Sequence, residues 1–564
     1  MARWVLNKNF DKNIANSLNE SLGTPSIIGE LLAKRGVSDF DNAKAFFRPN
    51  ADQFHDPSLM KDLGKAVTRL ERAKAENERV LVYGDYDVDG TCSVALVESC
   101  LTEYGFKTEA YQPDRFTEGY GLSKEGLAYA QSKQCGVIIA LDCGINAVEL
   151  ITEAQDSGID VIVCDHHLPK EQLPPAHAIL NPKQTDCNYP FKELCGCGIG
   201  FKLMIALELK LQGSDEFVQS KLDIVALATA ADIVSLSGEN RTIVYLGLIQ
   251  LNQKPSVGIA SLIKSSGKAR ELSCRDMVFQ LAPRINAAGR LYHAKFAKDI
   301  LLGVENTDAL SDDLNKINSE RQDLGHAVFE SALDQANNNP FQYSQVVYSK
   351  DWNKGVIGIV ASRLIEKHYK PCLVISAQGD GLASGSARTI EGVNVHKALS
   401  ACEDLFGSFG GHAAAAGFKI EWDKIPELQR RFDEACAEQL NHIVPEECIM
   451  ADSLLNIADI SQKVYRICEQ FEPTGPDNLR PKFICEDAVV VEKRIIGKEK
   501  THLKLKVSSI HNTQAEFDAP LWNMAEKIDE YPEIGEPIKL LYAIEWNEFM
   551  GKGKIQLRIY DAKA

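Results

Sequence analysis

Val80-Leu81-Val82-Tyr83-Gly84-Asp85-Tyr86-Asp87-Val88-Asp89-Gly90-Thr91 is the stretch that decides the fold. Its first half is an apolar run too short for a buried helix. It suits a strand covered on both faces, as in a parallel sheet. Its second half places carboxylates at i, i+2 and i+4. Asp-x-Asp-x-Asp-Gly also opens an EF-hand loop, but that loop needs a glutamate where Leu96 stands, and a helix ahead of it. What remains is three acids at the carboxyl end of a buried strand, the edge where open α/β sheets place their ligands. Like charges so close repel unless a cation gathers them.

The same device recurs downstream. Val137-Ile138-Ile139-Ala140-Leu141 ends in Asp142-Cys143-Gly144, and Val161-Ile162-Val163-Cys164 ends in Asp165-His166-His167. A further acid, Asp232, sits in the otherwise apolar Leu227-Ala228-Thr229-Ala230-Ala231-Asp232-Ile233-Val234, where a charge is costly unless paired or metal-bound. Many carboxylates with one or two imidazoles make a hard, oxygen-rich site that suits Mn²⁺ or Mg²⁺ better than structural zinc. Two such ions ~3.5–4 Å apart clamp a phosphoryl group and activate water. No Gly-x-x-x-x-Gly-Lys-Ser/Thr loop supports a nucleotide-driven motor. Gly196-x-Gly198-x-Gly200 lacks the full dinucleotide fingerprint and is expected to form a tight loop, as is the close-set Cys195-Gly196-Cys197.

Working outward, the 564 residues suggest three or four domains, and an apolar content of 45% excludes wholesale disorder. Residues 1–58 suggest a helical segment, a hairpin packing on the next domain. Residues 59–304 alternate short apolar runs with helices, which predicts a doubly wound parallel sheet. Residues 305–339 predict a long connector helix, with Leu310, Leu314, Ile317, Leu324 and Val328 on its apolar face and a stop at Asn337-Asn338-Asn339-Pro340. A second α/β unit follows over 340–450. Short alternating strands over 451–564 predict a small β-barrel. No apolar run is long enough for a membrane helix, and Met1-Ala2-Arg3-Trp4-Val5-Leu6-Asn7-Lys8 lacks a signal peptide's apolar core. The scattered cysteines, 15 in all, read as reduced thiols, so a cytoplasmic location is expected. The net charge of −17 argues against bulk binding of a polyanion and against an anionic membrane surface.

On these motifs the chain resembles the DHH phosphoesterases, and within them the bacterial RecJ exonucleases. The resemblance rests on Asp85-Tyr86-Asp87-Val88-Asp89-Gly90, Leu141-Asp142-Cys143-Gly144, Asp165-His166-His167 and Asp232. It continues through Pro283-Arg284-Ile285-Asn286-Ala287-Ala288-Gly289-Arg290, Gly355-Val356-Ile357-Gly358-Ile359-Val360-Ala361-Ser362-Arg363, Gly410-Gly411-His412 and Phe471-Glu472-Pro473-Thr474-Gly475-Pro476-Asp477-Asn478. It implies a DHH domain and a DHHA1 domain joined by the long helix, then an OB-fold, in a 5′→3′ exonuclease specific for single-stranded DNA. It also implies two divalent ions, Mn²⁺ or Mg²⁺, held by Asp87, Asp89, Asp142, His166 and Asp232, with Asp142 bridging. Asp85, Asp165 and His167 become the proton-handling and orienting groups. Arg115, Arg290, Ser386 and Arg388 become holders of a 5′ phosphate, and Gly410, Gly411 and His412 the surface the strand approaches. Arg284 and Arg363 suit either a structural or a phosphate-binding role. Asn353 stands where many relatives have histidine, which puts in doubt any contact that imidazole makes. Single-stranded-DNA-binding protein and a helicase are the partners implied, around a monomer whose two α/β units close as a ring that admits one strand.

The barrel offers an independent reading. Between Lys493 and Lys506, six basic residues stand against one acid, and His502, Lys504 and Lys506 share a strand face opposite Leu503, Leu505 and Val507. Such a face suits the backbone of a single strand, whereas Trp522, Trp546 and Phe549 are expected in the barrel core. Two rivals stand beside the exonuclease: a DHH-type phosphodiesterase for short oligonucleotides or cyclic dinucleotides, and a silent relative that only binds single strands. The former usually lacks the barrel, and the latter loses metal carboxylates that are all present here.

Overall fold

The structure is a computed structural model that describes residues 3–268, 270–379, 381–549 and 552–564. Of the residues singled out above, the Phe549 side chain lies outside the described residues. The chain forms two compact units, Met1–Asn286 with Ala294–Ser311 and Cys448–Ala564, and Ala287–His293 with Asp312–Glu447.

In the first unit, five parallel strands run in the order Lys107–Tyr111, Arg79–Gly84, Cys135–Leu141, Asp160–Cys164 and Ala178–Leu180. Val80, Leu81 and Val82 are fully buried, as expected of a strand covered on both faces. After Arg79–Gly84 the chain adds a strand on one side, then crosses to add the rest on the other. This reversal opens a crevice at the carboxyl ends of Arg79–Gly84 and Cys135–Leu141, the place where such sheets bind ligands. The acids of the sequence motifs stand at this edge.

One expectation is corrected here. Cys195-Gly196-Cys197 and the glycines after it do not form a loop; they open the helix Gly196–Gln212, which Cys195 caps by accepting from the Gly198 N–H. Three glycines weaken a helix start. Close packing compensates, with Gly196 to Gly200 all buried.

The C-terminal region closes as a five-stranded barrel, with Phe483–Ile496, His502–Ser509, Glu516–Leu521, Lys552–Lys563 and Pro537–Phe549 paired in a ring. Leu503, Leu505 and Val507 fill it. Contrary to expectation, Trp522 and Trp546 are exposed, at 55% and 37%. Trp522 meets His502 edge-on, and Trp546 stacks on Tyr465. The helices Lys12–Leu22, Ser26–Ala33 and Phe40–Phe47 share the barrel's core through Leu18, Ile28, Leu31 and Leu32, instead of packing chiefly on the next domain. A strand outside the sequence reading, Arg3–Leu6, pairs in parallel with Cys448–Ala451.

Arg241 ties the barrel's run-in to the sheet domain. Its guanidinium donates to the carbonyls of Phe46, Gln470, Phe471, Glu472 and Pro473, and lies 4.0 Å from the Phe46 ring. Arg241→Ala strands these acceptors. It is expected to cost about 2–3 kcal/mol in urea denaturation, since each hydrogen bond to a charged donor is worth ~1.5–3 kcal/mol and water replaces some of them. An unchanged midpoint would contradict that role.

The second unit is a mixed sheet in the order Phe406–Gly411, Ala415–Glu421, Leu382–Arg388, Cys372–Gly379 and Gln345–Ser349, with the last pair parallel. The helix Thr307–Asn337 begins in the first unit and ends in the second. Among the described residues, no helix is long and apolar enough to cross a membrane.

Candidate metal centre

The crevice of the first unit gathers Asp85, Asp87, Asp89, Asp142, Asp165, His166, His167 and Asp232. Asp85 ends the strand Arg79–Gly84. Asp87 caps the helix Val88–Glu103 by accepting from the Gly90 N–H at 3.0 Å. Asp89, in the first turn of that helix, points across to the helix Gly196–Gln212, where Gly196 N–H and Cys197 N–H donate to its two oxygens at 2.6 and 2.9 Å. A helix amino terminus thus steadies this buried carboxylate.

Asp142 is held in left-handed backbone geometry, φ 58°, an uncommon conformation that aspartate tolerates better than most residues. Its N–H bonds the Cys164 carbonyl and its own carbonyl accepts from Tyr120 Oη, each at 2.9 Å. Asp232 follows the helix Leu222–Ala231 as its C-cap.

These groups fit a cation. His166 Nε2 lies 3.2 Å from Asp142 Oδ1 and 3.5 Å from Asp232 Oδ2. Yet both oxygens, and His166 Nδ1, are buried without a hydrogen-bond partner. Buried polar atoms are normally satisfied, so the two unpartnered carboxylate oxygens, set beside His166 Nε2, call for a shared positive charge. Ligand atoms lie within 4.8 Å of one another in three sets: Asp89, His166 and Asp232; Asp85, Asp87 and Asp142; and Asp142, His166 and His167. Asp142 belongs to two of them. Asp85 and His167, expected outside the ligand shell, also stand in such sets.

The electrostatics agree. Burial, then the neighbouring Asp87, pushes Asp85 well above the usual carboxylate range. Burial and then Asp89 do the same to Asp142 and to Asp232. Burial also raises Asp89, against the pull of His166. His166 is pushed down to about 4, chiefly by burial, which keeps its imidazole neutral as ligation requires.

Asp165 and His167 form a separate pair, with His167 Nδ1 2.7 Å from Asp165 Oδ1. The second oxygen of Asp165 accepts from the Ile145 N–H at 2.9 Å. Burial opposes both ionised forms, but the bond and charge between them prevail, so Asp165 is lowered and His167 raised. Tyr120 Oη lies 3.1 Å from His167 Nε2 and so bridges this pair to the Asp142 carbonyl. The sequence reading missed Tyr120, because no spacing ties it to either acid. Tyr120→Phe is expected to lower kcat about tenfold with little change in KM, as removal of an orienting partner commonly costs 10–100-fold. Unaltered kcat would show that it does not orient the site.

Arg115 lies over the Tyr86 ring at 5.1 Å and its charge favours ionised Asp85. Within the second unit, Arg290, Ser386 and Arg388 come together. Arg388 Nη1 donates to Ser386 Oγ at 3.1 Å, and Arg290 Nη1 to the Gly355 carbonyl at 3.3 Å. A side chain at Gly358, in the first turn of the helix Ile357–His368, would meet Ser386 Oγ and Arg388 Nη2 at 3.1 and 3.2 Å. Asn353 accepts from the Gly355 N–H at 2.8 Å and so shapes this loop itself. Arg284 donates to the Gln280 carbonyl, and Arg363 covers the Phe329 ring at 4.0 Å. Gly410 and Gly411 lie in an exposed hairpin strand, and His412 N–H bonds the Ala415 carbonyl at its turn.

The barrel strip reads differently in three dimensions. Lys504 pairs with Asp518 at 2.9 Å and Lys506 with Glu516 at 2.5 Å, both acids on the neighbouring strand. Lys554 also binds Asp518. Of the six basic residues counted along the sequence, Lys504 and Lys506 are thus met by cross-strand acids, while Lys493 pairs with Glu533 and Arg494 with Glu492.

Comparison with known proteins points to one family. The DHH family, N-terminal domain, matches residues 79–229, the DHHA1 domain residues 338–438, and the RecJ OB domain residues 451–561. The single-stranded-DNA-specific exonuclease RecJ of Bacillus subtilis (strain 168) is 35% identical over 567 residues, 99% of this chain and 70% of that protein. Its namesake in Escherichia coli (strain K12) is 32% identical over 559 residues, 95% of each chain. The crystal structure of RecJ in complex with Mn²⁺ from Thermus thermophilus superposes with a TM-score of 0.85 at 25% identity, covering 100% of this chain and 79% of that one. A structure of exonuclease RecJ bound to manganese is 31% identical, with a TM-score of 0.60 over 68% of this chain and 97% of that one. With the acids of the DHH motifs gathered at one sheet edge and the match running through the barrel, the chain belongs to the RecJ family of DHH phosphoesterases.

Proposed function

We propose that this chain is a metal-dependent exonuclease that hydrolyses single-stranded DNA from its 5′ end to mononucleotides, in recombination and repair. The observation that carries the reading is the set of unpartnered, buried lone pairs of Asp142, His166 and Asp232. They stand in a chain that matches RecJ exonucleases nearly end to end.

Asp87, Asp89, Asp142, His166 and Asp232 would hold the divalent ions, Mn²⁺ or Mg²⁺. Bound there, the ions supply an activated water and neutralise charge on the scissile phosphodiester. The residues do the remaining work. Gly196 and Cys197 N–H groups fix the Asp89 carboxylate. His167, whose protonated form the Asp165 carboxylate favours, donates its proton to the departing 3′-oxygen, while Tyr120 orients its ring. Asp85 steadies the motif loop through the Gly121 N–H. In the first unit Arg115 offers its guanidinium to a phosphate. In the second, Arg290, Ser386 and Arg388 form the 5′-phosphate pocket, because a guanidinium fork suits phosphate oxygens and a helix amino terminus lies beside it. Gly410, Gly411 and His412 line the strand there, and Lys504 and Lys506 meet its backbone once their acids yield. The enzyme works in the cytoplasm as a monomer, with single-stranded-DNA-binding protein and a helicase as partners.

The test compares 5′- and 3′-labelled single strands, a duplex and a dinucleotide, each with Mn²⁺. Mononucleotides released first from the 5′-labelled single strand are expected. Preferential turnover of the dinucleotide would replace this reading with that of a short-oligonucleotide phosphodiesterase.

A further inference from the structure

At the edge of the parallel sheet opposite the metal centre lies a cleft of about 430 Å³, within the ~300–1,000 Å³ of a small-molecule site. Gly64, Lys65, Thr68, Arg69, Arg72 and His177 line it. Asp160, which binds two of these residues, opens the strand Asp160–Cys164, and Asp165 and His166 follow that strand's far end. At ~3.3 Å per residue the two ends stand roughly 16 Å apart. The cleft is therefore no part of the site of hydrolysis.

Its chemistry is cationic. Lys65, Thr68, Arg69 and Arg72 fall at i, i+3, i+4 and i+7 along the helix Leu63–Ala75, which puts them on one face. Arg69 is buried, at 4% exposed. Its Nε donates to Asp160, and its Nη2 to Glu78 at 2.6 Å and the Gly136 carbonyl at 3.1 Å. Its remaining nitrogen, Nη1, is buried with no hydrogen-bond partner. A buried guanidinium nitrogen is seldom left unmatched, so this one calls for an acceptor that the protein does not supply. Asp160 is already shared, because Arg72 Nη2 binds the same oxygen at 3.0 Å and His177 Nδ1 stands 3.6 Å from the other. Lys65 is exposed and makes no ion pair among the described residues. Burial lowers His177, and against the pull of Asp160 the charges of Lys65, Arg69 and Arg72 lower it further, so all three cations act at one place.

The start of the same helix adds backbone donors. Asp62 precedes it but forms no cap, because its carboxylate turns away to accept from the Ile179 N–H at 3.1 Å. The N–H groups of Gly64 and Lys65 then have no protein acceptor among the described residues. Space is open beside them, since a side chain at Gly64 would meet nothing within 4 Å. An uncapped helix start attracts an anion. Guanidinium forks and a helix start converging together suit the several oxygens of a phosphate better than the two of a carboxylate.

We propose that this cleft is a second, non-catalytic binding site for a phosphate group, borne by a nucleoside monophosphate or free as inorganic phosphate. Arg69 Nη1, Lys65 and Arg72 meet its oxygens, and the Gly64 and Lys65 N–H groups complete the cradle. The proposal does not rest on the exonuclease reading, and its test needs no metal.

The test is protection of Lys65 from acetylation by N-hydroxysuccinimidyl acetate, read by peptide mass spectrometry on the full chain in EDTA. Inorganic phosphate, dTMP and thymidine are titrated at constant ionic strength, and Lys210, also exposed and without an ion pair among the described residues, is the internal control. Phosphate and dTMP at about ten times their dissociation constants should slow acetylation of Lys65 roughly tenfold, by occupancy alone, and leave Lys210 unchanged. Thymidine should protect neither. A lower midpoint for dTMP than for phosphate assigns the site to the nucleotide, and equal midpoints assign it to the phosphate alone. Arg72→Ala should raise the midpoint roughly tenfold, the loss of one charge-assisted hydrogen bond. Thr68→Glu, which sets a carboxylate among the cations, should raise it at least as far. Melting temperatures of both variants confirm that they fold. Equal slowing at Lys65 and Lys210, no slowing at either, or protection by thymidine as strong as by dTMP would overturn the proposal. So would wild-type midpoints in both folded variants.

Discussion

Asp142→Asn is expected to abolish Mn²⁺-dependent hydrolysis while giving a metal-free protein at least as heat-stable as wild type. Asp142 Oδ1 is buried without a partner and belongs to two of the three sets of converging ligand atoms. The carboxylates of Asp85, Asp87, Asp89 and Asp232 all push against its charge. A carboxyl group raised above its unfolded value destabilises the fold wherever it is ionised, so the ionised form is a liability at neutral pH without metal. The amide keeps the volume and removes the charge, and the metal-free melting temperature should hold or rise. With Mn²⁺ the order reverses. Wild type should gain stability with ligand concentration, ~2.7 kcal/mol at a hundred times the dissociation constant, and the variant should gain much less. Loss of a carboxylate that belongs to two of these sets is expected to cost several kcal/mol of transition-state stabilisation, so kcat/KM should fall roughly 10³-fold or more. Calorimetry with and without Mn²⁺, beside release of nucleotides from a 5′-labelled strand, reads both effects. Full activity in Asp142→Asn would remove it from the metal centre.

The metal centre is legible because buried parallel strands are written as short apolar runs, and charges at their ends are conspicuous. Asp85 to Asp89, Asp142 and Asp165 to His167 all fall at such ends, and the sheet order then brings them to one crevice. Less visible are features set by pairing across long sequence distances. Lys504 and Lys506 look like a free basic strip because Asp518 and Glu516 come opposite them only through strand register. The packing of Leu18 and Leu31 leaves no local signature, since the core cluster they join includes Phe483 and Leu503 of the barrel. Trp546 is expected inside by size and hydrophobicity, yet Gly553 on the paired strand leaves room for the ring outside: a side chain there would meet the indole at 2.3 Å.

The helix Gly196–Gln212 is the costliest of these misreadings, because its first residue proves to be part of the site, and Gly196→Ala is expected to show it. A methyl group at Gly196 would stand 2.6 Å from Asp142 Cβ, 2.8 Å from Asp142 Cα and 2.9 Å from Asp89 Oδ2. Two of these three neighbours cannot swing aside: Asp142 is pinned by the Cys164 carbonyl and Tyr120 Oη. The helix start must retreat, and the N–H groups of Gly196 and Cys197 move away from the oxygens of Asp89. Overpacking of this kind costs ~1–3 kcal/mol of stability. The larger consequence is chemical, because a misplacement of about 1 Å at a reacting centre can cost 10²-fold. Gly196→Ala should therefore lose at least about a hundredfold in kcat on a 5′-labelled single strand. The Mn²⁺ concentration for half-maximal activity should rise, since Asp89 is displaced from His166 and Asp232. Gly198→Ala is the control: its methyl would rest 3.4 Å or more from Leu194 and Cys195, in ordinary contact, with an equivalent gain in helix propensity. If both variants retain wild-type kcat and Mn²⁺ dependence, the helix does not position Asp89, and the site's acids are held by the sheet alone.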